Sequence, residues 1–221
     1  MTPFIHFWEL VFGTILALLP VINPLASAPA FLAMTDRLSP AQRHRQLLVA
    51  CIYMVVILVT FLVGGSLIMG FFGISIPGLR IAGGLMVAGI GSSMLVSAPA
   101  SVGEADITSP DRDIAFTPLA MPMLSGPGAI AVTLGFTSLA SGWLDYVAVM
   151  LGIVAMAVIA YVTLRLSGSI VRVIGQVGMT ALTKVMGFLL LCIGIQFIVN
   201  GVLGIATDPV LLRSIRDALH R

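Results

Sequence analysis

The chain has 221 residues, of which 59% are hydrophobic and only 9% are charged. A soluble domain carries about 25% charged residues, so this chain has too little charge to cover a surface that faces water. The composition excludes an ordinary soluble domain and indicates a protein that lies in a lipid bilayer, and a net charge of +2 gives no support for nucleic-acid binding.

Six long tracts with few charged residues make up most of the chain. An α-helix rises about 1.5 Å per residue, so about 20 apolar residues cross a hydrocarbon core of about 30 Å. The tracts are uniformly apolar, whereas the strands of a β-barrel alternate in hydrophobicity. We therefore expect an all-α polytopic membrane protein with six transmembrane helices, near residues 7–34, 47–71, 76–97, 114–140, 143–166 and 182–205.

Basic residues predict the orientation of these helices. The loops after the first, third and fifth helices, with their helix ends, carry Arg37, Arg43, Arg45, Arg112, Arg165 and Arg172. The positive-inside rule places those loops in the cytoplasm, so both termini are expected on the periplasmic side. No Lys or Arg precedes the first tract, which is also too long for the core of a cleavable signal peptide.

The two halves of the chain resemble each other at an offset of about 103–104 residues. Gly65-Ser66 matches Gly168-Ser169, and the segment that starts at Leu79 matches the one that starts at Thr183. Three helices per half would give an inverted repeat, a plan found in many secondary transporters, although chance similarity between Leu-rich helices is the alternative. We expect a single membrane domain over residues 1–221, with repeats at about 1–97 and 114–205, an acidic linker at 98–113 and a short interfacial helix at 209–221.

Prolines predict interruptions in the first and fourth helices. Pro20, Pro24 and Pro29 lie in the first, and Pro118, Pro122 and Pro127 lie in the fourth. An internal proline removes a backbone hydrogen bond, and broken backbone at mid-membrane depth is tolerated where it is buried or lines a wet cavity. The alternative is that these prolines only kink the helices.

The residues around each interruption are typical of a new helix start. Asn23 suits an N-cap with Pro24 at the first helical position, and Ser125-Gly126 before Pro127 repeats this pattern. The free N–H groups at such starts favour a carboxylate or another anionic group. Gln196 and Asn200 share a face of the sixth helix and would bind substrate or join helices. The candidate substrate-binding residues are Asn23, Pro24, Ser27, Ser125, Gly126, Pro127, Gly128, Gln196 and Asn200.

The remaining charged and titratable residues give less support for a substrate-binding or catalytic site. Arg80 and Lys184 lie near the starts of the third and sixth helices, where snorkelling to the membrane interface is the favoured interpretation. No carboxylate is expected deep in a span, no P-loop is present, and the histidines fall near termini or in loops. These features predict a non-enzymatic protein without a cofactor or metal, whose cargo is a small neutral or zwitterionic solute; the coupling ion, Na⁺ or H⁺, stays open.

Several motifs resemble those of the MarC family of bacterial inner-membrane proteins. They are Asn23-Pro24, the stretch from Gly73 to Gly84, the stretch from Pro118 to Gly128, and Met186 to Gly201. The resemblance covers essentially the whole chain and implies a multi-pass inner-membrane protein. It also implies a transporter, or exporter, of small neutral amino acids, because the family includes such a transporter. Multidrug efflux and a non-transport role in membrane assembly or regulation are the alternatives.

Overall fold

A computed structural model of the chain describes residues 3–96, 114–137, 140 and 142–207. Within those residues the regular structure is entirely helical. The acidic linker predicted at 98–113 and the interfacial helix predicted at 209–221 lie outside the described residues. The described residues form seven helices and one π-helical segment, in this order: α1 (Pro3–Ile22), α2 (Ala28–Met34), α3 (Pro40–Phe72), α4 (Ile76–Val96), the π segment (Ala115–Leu124), α5 (Pro127–Thr137), α6 (Trp143–Arg165) and α7 (Ser167–Ala206).

Five of these helices are long and apolar enough to cross a membrane. They are Phe4–Ile22 of α1, α3, α4, α6 and Val177–Ala206 of α7. The fourth predicted helix is divided into the π segment and α5, and each part alone is too short to cross. The all-α membrane class is therefore confirmed, but the expectation of six long helices is not met at the fourth position.

Two helices extend beyond their predicted starts. The sequence predicts that the second helix starts at 47, whereas α3 starts at Pro40 because Ser39 and Gln42 form a capping box. This places His44 in a helix rather than in a loop. The sixth helix, predicted at 182–205, is preceded by a further helical stretch from Ser167, and the two parts of α7 meet at a kink at Gly175 (φ 71°, ψ 169°). Charged residues in these extensions lie on helices rather than in loops.

The helices pair in a pattern that links the two halves. α1 packs on α6, the π segment and α5 pack on α3, and α3 also packs on α6. The first span therefore contacts the fifth, and the second contacts the fourth. If the first span corresponds to the fourth and the second to the fifth, the contact of the first span with the fifth corresponds to the contact of the fourth span with the second. The core where they meet is apolar and includes Leu18, Phe31, Met54, Leu119 and Ile153.

α4 and α7 form the most extensive contact and run antiparallel. Gly84 lies against Gly194, and Gly91 lies against Gly187. A shift of about 103 residues along the chain carries Gly84 onto Gly187 and Gly91 onto Gly194. This shift exchanges the two contacts with each other, and it is one residue shorter than the offset of 104 that the match of Leu79 with Thr183 gives for the same helices.

Candidate functional site at the interrupted spans

The first interruption begins where α1 ends. Asn23 has φ 44°, a left-handed conformation that Asn tolerates better than most residues. Its backbone N–H donates to the Leu19 carbonyl at 2.9 Å, and its own carbonyl accepts from the Ser27 N–H at 3.1 Å. Its side-chain Oδ1 also accepts from the Ala26 N–H at 3.4 Å. Asn23 therefore ends α1 and holds the following turn closed.

The side-chain Nδ2 of Asn23 is a buried donor. Asn23 is only 6% exposed, and its Nδ2 makes no hydrogen bond to any residue that the structure describes. The hydrogen bond from Ala26 to Oδ1 fixes the orientation of the amide, because a flipped amide would place two donors together. A buried polar group left unpaired costs about 1–3 kcal/mol. This donor is therefore available to an acceptor that enters the site.

The predicted helix restart at Asn23 and Pro24 is wrong. Residues 24–27 form a turn, and α2 starts only at Ala28, with Ser27 at the N-cap and no side-chain cap bond. The physical reason is the left-handed conformation of Asn23, which an N-cap residue does not adopt. Pro24 is buried in the turn, and Ser27 is half-buried. In a continuous helix the Pro20 carbonyl would accept from the N–H of residue 24. Because Pro24 has no N–H, that hydrogen bond cannot form.

The second interruption is prepared by the π segment. Thr117 (φ −127°, ψ 120°) and Met121 (φ −132°, ψ 119°) are extended, and each directly precedes a proline. A proline disfavours the helical region for the residue before it. The Leu119 N–H donates to the Ile114 carbonyl at 3.2 Å, and the Ser125 N–H donates to the Ala120 carbonyl at 2.8 Å, each five residues back. The wider turns keep the backbone paired despite the missing proline donors.

Ser125 ends the π segment, and α5 then starts as predicted. The Ser125 hydroxyl is fully buried and donates to the Ala120 carbonyl at 2.7 Å, so its proton is already used. α5 starts with Pro127 at its first position, and the Gly126 carbonyl accepts from the Ile130 N–H at 3.1 Å. The prediction of a helix start at Pro127 is confirmed. The first N–H groups of α5 have no acceptor within the helix.

The two interruptions are neighbours. A Cβ placed on Gly128, in the first turn of α5, would lie 3.1 Å from Cγ1 of Val21 in α1 and 3.1 Å from Cγ2 of Val87 in α4. Val21 is two residues before Asn23. The buried Gly128 therefore brings the start of α5 against the end of α1, which is the arrangement that the paired prolines predict.

A cavity of about 240 Å³ lies close to this junction, where α1, α4, α5 and α7 meet. Arg80 and Asn200 are the polar side chains on its wall, and Arg80 has no ion-pair partner among the described residues. Ala131 of α5 is on the same wall, four residues or about 6 Å beyond the helix start. The remaining wall is apolar: Ala17, Leu79, Gly83, Val132, Gly135, Phe136 and Phe197.

Comparison with known proteins decides the family. Residues 8–206 match the model of the MarC family integral membrane protein. The inner membrane proteins MarC of Citrobacter koseri and of Escherichia coli are each 42% identical over 205 residues, which is 86% of this chain and 93% of the relative. The chain belongs to the MarC family. No solved structure matches it.

Membership of the MarC family fixes the location of this protein. Its relatives are inner membrane proteins, and several of its helices are long and apolar enough to cross a bilayer. The chain is therefore a multi-pass protein of the inner membrane. The lipid contact predicted from its composition follows directly from this.

The two amides of α7 in this MarC protein bond to each other. The Gln196 Nε2 donates to the Asn200 Oδ1 at 2.9 Å, so the two residues share a face as predicted. Both side chains are exposed. Asn200 reaches the wall of the 240 Å³ cavity, and Gln196 orients it from one turn away. Neither residue is hydrogen-bonded to the interrupted spans.

Arg80 lines the 240 Å³ cavity, whereas the sequence favours a role for it at the membrane interface. In this MarC protein it shares the cavity wall with Asn200, although the position near a helix start favours an interfacial anchor. The sequence did hold one indication of this contact. A basic residue, Arg80, lies on the third helix and an amide, Asn200, lies on the sixth, and these two helices would contact each other in an inverted repeat. Helix periodicity alone does not place the two side chains at one cavity.

Proposed function

We propose that this MarC family protein is a secondary transporter, or exporter, of small neutral amino acids or similar small zwitterionic solutes. The observation that carries the proposal is the buried Nδ2 of Asn23, which has no hydrogen-bond partner among the described residues. Asn23 comes two residues after Val21, whose side chain meets the start of α5 at Gly128. A carboxylate oxygen is an acceptor that suits both this donor and the free N–H groups of α5.

The opposite ends of two helices favour a zwitterion at this junction. The N-terminus of α5 carries partial positive charge, and the C-terminus of α1 carries partial negative charge. The two ends are adjacent through Val21 and Gly128. A carboxylate at the start of α5 and an ammonium at the last carbonyls of α1 would complement both ends. Discontinuous helices serve this role in other secondary transporters.

The volume of the cavity supports a small cargo. Pockets for drug-sized ligands span about 300–1,000 Å³. The cavity at Arg80 and Asn200 is about 240 Å³, below that range. Its charge also suits a solute with a carboxylate, because Arg80 has no ion-pair partner among the described residues. A small amino acid therefore fits this wall better than a bulky apolar drug.

The helix pairings support alternating access. Exchange of the two halves converts the pairing of α1 with α6 into that of the fourth span with α3, and it swaps the two glycine contacts of α4 and α7. An inverted repeat of this kind gives two related half-structures that face opposite sides of the membrane. Rocking one half against the other would expose the junction at Asn23 to each side in turn.

Counterflow in proteoliposomes tests the proposal without knowledge of the coupling ion. Liposomes loaded with unlabelled alanine are diluted into labelled alanine, and exchange is followed over time. Wild-type protein is expected to accumulate label, with competition by glycine and serine. Absence of exchange for every small amino acid in such a panel contradicts the transport proposal.

Substitutions at Asn23 test the placement of the site. Asn23→Asp preserves size and left-handed backbone but replaces the donor by an acceptor, and Asn23→Gly removes the side chain. Each is expected to reduce exchange at least about tenfold, the value of a hydrogen bond to a charged group. Thr60→Val is the matched control, because the exposed Thr60 hydroxyl bonds only to the Val56 carbonyl of its own helix. Full exchange by both Asn23 variants overturns the placement.

A further inference from the structure

A second cavity, of about 510 Å³, lies where α2 ends, α3 begins and α6 ends. Its wall combines two kinds of side chain. Arg43, His44 and Arg165 are basic or polar, whereas Phe31, Leu38 and Leu47 are apolar. None of the described residues that line it is acidic. A cavity with concentrated positive charge beside hydrocarbon-like surface differs in chemistry from the solute cavity at Arg80.

The two guanidinium groups of this cavity have no carboxylate partner within the part of the chain that the structure describes. Among the residues that the structure describes, neither Arg43 nor Arg165 forms an ion pair. Two like charges on one cavity wall repel each other, and the partly buried Arg43 lacks the counter-charge that such cations usually have. An anion that enters the cavity would relieve both effects.

Arg43 is held in a fixed position with donor capacity left over. Its Nη2 donates to the Thr35 carbonyl at the end of α2, at 2.9 Å. Its Nε is buried and has no hydrogen-bond partner in the described ranges of the chain. A guanidinium group presents its donors in a rigid planar fork, which suits the oxygens of a phosphate. The remaining donors of Arg43 are therefore preorganised for an anion.

His44 is fixed at the same wall by α6. Its Nδ1 lies 2.9 Å from the Tyr161 hydroxyl, and the two rings meet edge to face at 5.7 Å. The contact links the first turn of α3 to the last turns of α6, the two elements that carry Arg43 and Arg165. The relative position of the two arginines is therefore supported by a side-chain contact between their helices.

We propose that this cavity binds a phosphate-bearing anion through Arg43 and Arg165, with an anionic phospholipid of the surrounding bilayer as the favoured source. The apolar residues Phe31, Leu38 and Leu47 would contact the glycerol and the start of an acyl chain. The cavity lies at helix ends, on the side where basic residues predict the cytoplasm, and the cytoplasmic leaflet supplies anionic headgroups. A soluble phosphate compound shares the headgroup chemistry but gains nothing from the apolar wall.

Native mass spectrometry of the purified protein tests this assignment. The protein is mixed in detergent with phosphatidylglycerol or, in parallel, with phosphatidylcholine, and retained lipid is counted across a concentration series. Wild-type protein is expected to retain phosphatidylglycerol in preference to phosphatidylcholine. Arg43→Gln and Arg165→Gln are each expected to weaken that retention at least about tenfold. Arg165 is exposed, so its substitution leaves the fold intact even where Arg43→Gln lowers the yield.

Arg45→Gln is the matched control. It removes the same charge from the first turns of α3, but Arg45 is exposed and does not line the cavity. It is expected to change lipid retention less than twofold. Equal loss in Arg45→Gln and Arg165→Gln would show a diffuse electrostatic attraction and would overturn the site.

Inorganic phosphate distinguishes the two sources of the anion. Thermal unfolding is followed while phosphate is added at constant ionic strength, with chloride as the reference salt. If phosphate stabilises the wild-type protein but not Arg165→Gln, and no lipid is retained, the ligand is a soluble anion. If lipid is retained and phosphate does not stabilise the protein, the ligand is the lipid headgroup. Absence of both responses in the wild-type protein overturns the proposal. None of these measurements depends on solute transport, so failure here leaves the proposed function untouched.

Discussion

Gly84 of α4 and Gly194 of α7 meet backbone to backbone: the carbonyl oxygen of each lies 2.6 Å from the position that a Cβ on the other would occupy. Gly91 and Gly187 repeat this contact two turns away. Small residues let membrane helices approach closely, where dispersion contacts and weak backbone interactions replace the hydrophobic effect. The glycines on this face of α4 thus have a partner face of glycines on α7.

Alanine at these positions is expected to destabilise the protein. Gly84→Ala or Gly194→Ala would push α4 and α7 apart, and overpacking of this kind costs about 1–3 kcal/mol. Gly89→Ala is the control on the same helix, because no atom lies within 4 Å of its Cβ position. Thermal unfolding in detergent measures the difference. Equal melting temperatures for Gly84→Ala and Gly89→Ala would contradict the close approach.

The adjacency of the two interruptions can be tested by cross-linking. Val21→Cys and Gly128→Cys are introduced together in a chain where Cys51 and Cys192 are replaced by Ala. A Cβ on Gly128 would lie 3.1 Å from Cγ1 of Val21, so a disulfide is expected under mild oxidation. Val21→Cys with Gly135→Cys is the control pair, since Gly135 lies about 10 Å further along α5. Similar cross-linking of the two pairs would mean that the junction is wrongly placed.

Arg80 is expected to act on solute affinity rather than on folding. Arg80→Gln removes the charge from the cavity wall that Asn200 shares, and we expect the KM for alanine counterflow to rise at least about tenfold. Lys184→Gln is the matched control, because Lys184 is the repeat-related residue and does not line the cavity. Arg80 is an interfacial anchor if the two variants exchange alanine equally well.

The positions of the long helices could be predicted from the sequence because lipid imposes a simple requirement. The helices predicted at 76–97 and 143–166 are observed at Ile76–Val96 and Trp143–Arg165. Charged residues mark where a chain leaves hydrocarbon, but they do not mark where a helix ends. This is why α3 extends back to Pro40 and α7 back to Ser167, past arginines that the sequence assigns to loops.

The geometry of the interruptions could be predicted only in part. The three prolines of each span indicated where the backbone breaks, and Pro127 does begin α5. The left-handed conformation of Asn23 could not be predicted, because Asn suits both an N-cap and an αL residue. In the π segment the two residues before prolines, Thr117 and Met121, are extended, while the backbone around them keeps hydrogen bonds that reach five residues back. Residue types alone do not predict how these two requirements are met together, because that follows from tertiary packing.

The orientation of the chain gives the last prediction. The positive-inside rule places the segment between α2 and α3 in the cytoplasm and both termini in the periplasm. Alkaline phosphatase fused after Arg221 is therefore expected to be active, and green fluorescent protein inserted after Arg37 is expected to fluoresce. The reverse pattern would invert the orientation and place the Arg43 and Arg165 cavity at the periplasmic surface. In that case the phosphate-bearing anion would have to come from the outer leaflet, which gives the topology measurement a direct bearing on the lipid assignment.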